Sequence, residues 1–174
     1  MDDKTPLASV TEVTGLGMVQ IRADLDYCGD AIAEAAGLAI PAQTRIVTAH
    51  DRALGWMAHD ELLLILPRAE AAATEAQLDD ALADTHHLVL DVSDMRCVFD
   101  VTGPAPEQVL AKLSPTDFTA LPEDGLRRTR VAQVAAAFWP IPGGFRVIAF
   151  RSVSAYLRKL LETAAAPGSS LDPR

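Results

Sequence analysis

Residues 86–115 read H-H-L-V-L-D-V-S-D-M-R-C-V-F-D-V-T-G-P-A-P-E-Q-V-L-A-K-L-S-P. Residues 86–92 and 95–101 carry the short apolar runs L-V-L and C-V-F, bounded by polar residues, and read as β-strands. Between them Ser93-Asp94 makes a short polar turn. Gly103-Pro104 then ends the second strand, and a helix is predicted from Pro106 to about Leu113. Proline suits its first position because the missing N–H would be unpaired there in any case.

The same reading extends in both directions. Upstream, residues 18–23 alternate as a strand, and Asp26 is placed to cap a helix that runs to about Ala36 and stops at Gly37 and Pro41. Strands follow at 45–49, 53–58 and 62–66, the last two joined by a tight His59-Asp60-Glu61 turn. Residues 68–83 form an Ala-rich helix with Leu78 and Leu82 four apart. Downstream, strands are expected at 128–134, 135–139 and 145–150, with an I-P-G-G turn before the last. The closing helix starts near Ser152, its apolar face built by Val153, Tyr156, Leu157, Leu160, Leu161 and Ala164 at helical spacing.

Lined up, these elements repeat. Trp56 and Trp139 stand 83 positions apart, as do Arg68 and Arg151, and the strand–helix unit at 19–36 recurs at 98–113. The expected fold is α+β: two similar strand–helix–strand–strand–helix halves, at about 15–84 and 95–165, with mixed sheets and helices on one face. Residues 86–92 then form a seam between halves, 1–14 an irregular arm, and 166–174 a flexible tail.

Composition narrows the function classes. The chain has 174 residues, 49% hydrophobic and 22% charged, enough for one packed domain or two small lobes. A formal charge of −9 disfavours nucleic acid and anionic membrane as partners. The longest apolar run, 62–67, is far short of the roughly 20 residues that span a bilayer. Met1-Asp2-Asp3-Lys4 does not resemble a secretory leader, and Cys28 and Cys97 form no C-x-x-C pair, so a reduced, cytoplasmic protein is expected.

Sites for chemistry are sparse. Gly15-Leu16-Gly17 lacks the third glycine of a dinucleotide fingerprint, since Gln20 holds that position, and reads as an entry turn. His86 and His87 on one strand would point to opposite faces, which defeats a shared metal. No nucleophile elbow frames a serine. Asp91, Asp94 and Asp100 carry no pattern beyond turn chemistry. Catalytic, cofactor-binding and metal-binding residues are therefore all expected to be absent. Trp139, beside Pro140 and Pro142, and its counterpart Trp56 are readable as core or as partner anchors.

The order of motifs resembles the gamma subunit of heterotetrameric sarcosine oxidase. The likeness runs from about residue 45 to 165 and rests on L-G-W-M-A-H-D-E-L-L-L-I-L-P (54–67), H-H-L-V-L-D-V-S-D-M-R (86–96), V-T-G-P-A-P-E-Q-V-L-A-K (101–112) with S-P-T-D-F behind it, R-R-T-R-V-A-Q-V (127–134) and F-R-V-I-A-F-R-S-V-S-A-Y-L (145–157). That family commonly has D-x-S-D-R-R in the second block; here Met95 replaces one arginine and Arg96 remains. The resemblance implies a fold like the folate-binding region of the glycine-cleavage T protein. It also implies alpha, beta and delta partner subunits that oxidise sarcosine and pass its one-carbon unit to tetrahydrofolate. In that family FAD, FMN, NAD and folate belong to the larger chains and zinc to the delta chain. The implied role here is structural, with Trp139, Trp56, His86 and His87 as candidate subunit contacts. The isolated chain is then expected as a monomer or homo-oligomer. A stand-alone folate-binding or aminomethyltransferase-like protein is the alternative, and a generic scaffold a third reading.

Overall fold

The computed structural model describes residues 5–171, which divide into two compact units. One is Gly15–Asp94; the other joins residues 5–14 to 95–171.

In the first unit, β2 (Leu16–Arg22) leads into α1 (Leu25–Ala36). Asp24 caps that helix, its carboxylate accepting from the amides of Asp26 and Tyr27 at 3.1 and 3.3 Å, and Gly37 closes it in the left-handed region. Then come β3 (Ile46–Ala49), β4 (Arg52–Ala58), β5 (Glu61–Pro67), a 3-10 turn at Arg68–Glu70, α2 (Ala71–Ala81) and β6 (Leu88–Asp91). The sheet order is β3-β4-β5-β2-β6. Val19, Ile21, Leu62, Leu64, Leu66 and Val89 pack with Ile32, Leu78 and Leu82 in one core. Alternate residues of β2 and β5 on the other face, Met18, Leu63 and Ile65, are buried too, which is why β5 shows an unbroken apolar run. Gly17 serves close packing: a Cβ there would lie 3.0 Å from the Ala71 methyl and from the Pro67 carbonyl oxygen.

The second unit repeats this plan. It contains β7 (Arg96–Thr102), α3 (Pro106–Ala111), β8 (Arg127–Val131), β9 (Val134–Ile141), β10 (Gly144–Phe150), a 3-10 turn at Arg151–Val153 and α4 (Ser154–Ala165). Its sheet order is β1-β7-β10-β9-β8, where β1 is Ser9–Glu12. Phe99, Val101, Phe138 and Val147 pack against Val109, Leu110, Leu157 and Leu161. Across β7 and β10, Arg146 donates from Nε and Nη2 to the two Asp100 oxygens at 2.7 and 2.8 Å.

Several expectations need correction. The sheets are not mixed: every strand pair in them is antiparallel. Each first helix carries the chain to the far edge of its sheet, and two successive hairpins bring it back beside the starting strand. Residues 9–12 are an edge strand on β7 and not part of an irregular arm; residues 1–4 lie outside the described residues. The strand predicted at 86–92 is no seam, because β6 pairs with β2 inside the first unit. Ser93-Asp94 does not join a hairpin; it passes between two different sheets as a 3-10 turn. The α1 cap is Asp24, not Asp26, which falls in the first turn where a carboxylate favours the helix dipole. Within the expected tail, Ser169 accepts from Lys112 Nζ at 2.9 Å and Leu171 N–H donates to Gln108 at 3.0 Å; residues 172–174 are outside the described residues.

Candidate functional site

The D-V-S-D run is the most densely bonded polar cluster of the first unit. Asp91 accepts from the Ser93 amide at 2.9 Å, from the Ser93 hydroxyl, and from Arg68 Nη1 at 3.3 Å. Ser93 Oγ in turn accepts the Met18 amide at 2.8 Å, and Arg68 Nη2 reaches Asp94 at 2.8 Å. The Asp91 amide donates to Glu75 of α2 at 3.0 Å, and Val92 N–H to Met18 O at 2.8 Å. Burial pushes the Asp91 carboxyl up, but the Ser93 and Arg68 bonds outweigh it and hold the carboxyl below its ordinary value. The cluster therefore ties β2, β6, α2 and the Arg68 turn together. Asp100, the third candidate carboxylate, is engaged by Arg146 in the other unit, so the three aspartates do not converge.

A concavity of about 700 Å³ opens where β2 gives way to α1. Arg22, Asp24, Asp26, Asp60, His86 and Leu88 line it. Arg22 Nη2 donates to Asp60 at 2.6 Å, and that bond lowers the Asp60 carboxyl. His59 also lines the concavity, is exposed and lies 3.8 Å from Asp60.

His86 and His87 stand before β6, outside the strand that was expected to hold them. His86 is exposed. His87 is mostly covered, with Nε2 3.0 Å from Asp79 Oδ1 and Nδ1 3.1 Å from Thr85 O, which latches the end of α2 to the start of β6. Trp139 is only 4% exposed, within β9, and Trp56 is half-buried against the first core. The structure thus brings His86 and His87 to one concavity but not the two tryptophans. Cys28 and Cys97 are both buried, and burial pushes the Cys97 thiol up, away from the thiolate a nucleophile needs. Among the described residues no three His, Cys, Asp or Glu side chains gather at metal-binding distance. Nor is any helix among them long and apolar enough to cross a membrane. The Arg68 and Arg146 partnerships were missed from sequence; the only trace of Arg68 was its repeat counterpart Arg151.

The fold is similar to that of an aminomethyltransferase. Glycine cleavage system aminomethyltransferase T from Bartonella henselae superposes with a TM-score of 0.64 at 16% identity, over 91% of this chain and 46% of that one. A chain of heterotetrameric sarcosine oxidase from Corynebacterium sp. U-96 superposes with a TM-score of 0.85 at 25% identity, over 96% of this chain and 88% of that one. Residues 22–125 match the sarcosine oxidase, gamma subunit family. The chain belongs to that family. Sarcosine oxidase subunit gamma from Corynebacterium sp. (strain P-1) is 40% identical over 89 residues, 50% of this chain and 43% of the relative. Its counterpart from Arthrobacter sp. is 35% identical over 109 residues, 61% and 53% respectively. The chain spans about half the length of these curated relatives.

Proposed function

We propose that this chain is a non-catalytic gamma subunit in a heterotetrameric sarcosine oxidase complex of the cytoplasm. Its partners are the alpha, beta and delta chains, the larger of which hold FAD, FMN, NAD and folate, and its own role is to complete and support the assembly. The observation that carries this reading is the superposition of nearly the whole chain on one chain of a heterotetrameric sarcosine oxidase. The side chains agree with it, since Asp91, Asp94 and Asp100 are tied up in arginine pairs that hold strands together. Affinity-tagged chain, expressed with its neighbouring subunit genes, should copurify with a flavin-containing subunit. Recovery of the tagged chain alone, with all other subunits expressed, sinks the reading.

A folate-binding or aminomethyltransferase-like activity of the free chain is the second reading, favoured by the likeness to aminomethyltransferase T. Calorimetric titration with tetrahydrofolate decides it: heat with a saturable isotherm supports it, and a flat trace at high protein concentration removes it.

A further inference from the structure

The two sheets offer an internal control for one surface. β6 and β1 occupy the same slot: each is an edge strand, antiparallel to the strand that opens its unit. The registers correspond position by position. Leu88, Val89, Leu90 and Asp91 face Arg22, Ile21, Gln20 and Val19, as Ser9, Val10, Thr11 and Glu12 face Thr102, Val101, Asp100 and Phe99. The inward valine and the final carboxylate recur, but the outward pair is Ser/Thr in β1 and Leu/Leu in β6. Leu88 and Leu90 are 46% and 41% exposed. Edge strands are ordinarily guarded by charged or polar side chains, as Arg127, Arg128 and Arg130 guard β8. An apolar L-V-L edge is a docking strand or an aggregation hazard.

The geometry points to β6 as the contact through which this chain docks an extended, apolar segment of another subunit, with a lysine or arginine of that segment seated in the concavity at Leu88. This rests on the subunit reading above. The backbone offers one place for it: the Val92–Met18 bond sets the ladder so that Leu88 and Leu90 bond toward β2 and the Val89 and Asp91 amides turn outward. Glu75 of α2 already accepts the Asp91 amide, and the Val89 amide faces the partner segment. Charge selects the occupant. His59, His86 and His87 also line the concavity, Asp60 is paired with Arg22, and Asp24 caps α1. With the histidines uncharged, the carboxylates of Asp24, Asp26 and Asp60 leave a net negative charge, centred on Asp26, that favours a cation. A second copy of this chain would bring the same carboxylates and another −9 of net charge against them, which disfavours self-pairing.

The test is co-expression of the complete set of subunits with wild-type chain or with Leu88→Ser/Leu90→Thr, which writes the β1 pattern into β6. Size-exclusion of the assembled complex should show roughly tenfold or greater loss of incorporation for the variant, the scale expected when two leucines leave a buried contact. Circular dichroism of the free variant should be unchanged. On wild-type assembly the Val89 amide should also slow in hydrogen exchange. Equal incorporation of the variant, or no change at Val89, overturns the docking proposal while leaving the subunit reading intact. Failure of the wild type to assemble overturns the subunit reading, and the proposal falls with it. A wild-type homodimer that the variant abolishes assigns the edge to a second copy and overturns the proposed occupant.

Discussion

Ser93 shows how one hydroxyl can hold three elements. Buried at 3% exposure, it accepts the Met18 amide and donates to Asp91. Ser93→Ala would strand the Met18 N–H without its acceptor, a loss of about 1–3 kcal/mol. Urea titration should register that loss as a lower midpoint at unchanged slope; an unchanged midpoint would show that water replaces the hydroxyl. His87 carries a pH dependence. Its bond to Asp79 is the chief cause that raises the imidazole above 6.5, with the Thr85 carbonyl adding to it and burial opposing both. Because the folded value is the raised one, the contact stabilises fully below the unfolded value and is lost as pH rises through the folded one. Thermal melts of wild type and Asp79→Asn should therefore differ more at about pH 5.5 than at about pH 8.5. An equal difference at both would mean that the His87 charge contributes nothing.

Among the elements, the β9–β10 hairpin is the most demanding. Gly143 takes φ +77 with open space where a Cβ would stand, whereas a Cβ on Gly144 would sit 2.0 Å from the Val101 carbonyl oxygen. Gly143→Ala should cost about 1 kcal/mol in backbone strain. Gly144→Ala has no room at all unless β7 and β10 separate, and should sharply reduce soluble yield; a melting temperature within a few degrees of wild type would contradict the pairing. Much of this level was readable beforehand. The apolar strand at 95–101, the Pro106 start, the Gly37 stop and the apolar stripe of Leu157, Leu161 and Ala164 all recur in the structure as β7, α3, the end of α1 and α4. The boundary errors lie where backbone bonding overrides side-chain pattern. β8 and β9 turn at Ala132, with φ +52, not at Val134-Ala135, because Val134 is already paired with Val131.

At the level of the whole chain, the two units share one topology but close it differently. In the first unit the edge strand follows the second helix; in the second it comes from residues 9–12, some ninety positions before the strand it joins. Leu7 is buried in the same core, its amide donates to Ala165 O at 2.9 Å, and Glu12 binds Arg158 of α4. Deleting residues 1–14 should therefore uncover the β7 edge and part of the second core, giving aggregation and a lower melting temperature. A dispensable arm would leave both unchanged.

Local pattern was sufficient for most of the secondary structure, the duplication, the α+β class and the family resemblance, since each rests on apolar runs, helical periodicity, turn residues or motif order within short windows. It could not reveal the strand formed by S-V-T-E, whose single apolar valine carries no periodic signal until β7 lies beside it. Nor could it show that Asp91, Asp94 and Asp100 are claimed by Arg68 and Arg146, or that His87 latches α2 to β6. Those partnerships depend on which distant strands share a ladder. Pairing across a sheet is selected by the summed burial and backbone bonding of the entire unit, and no stretch of neighbouring residues contains that information.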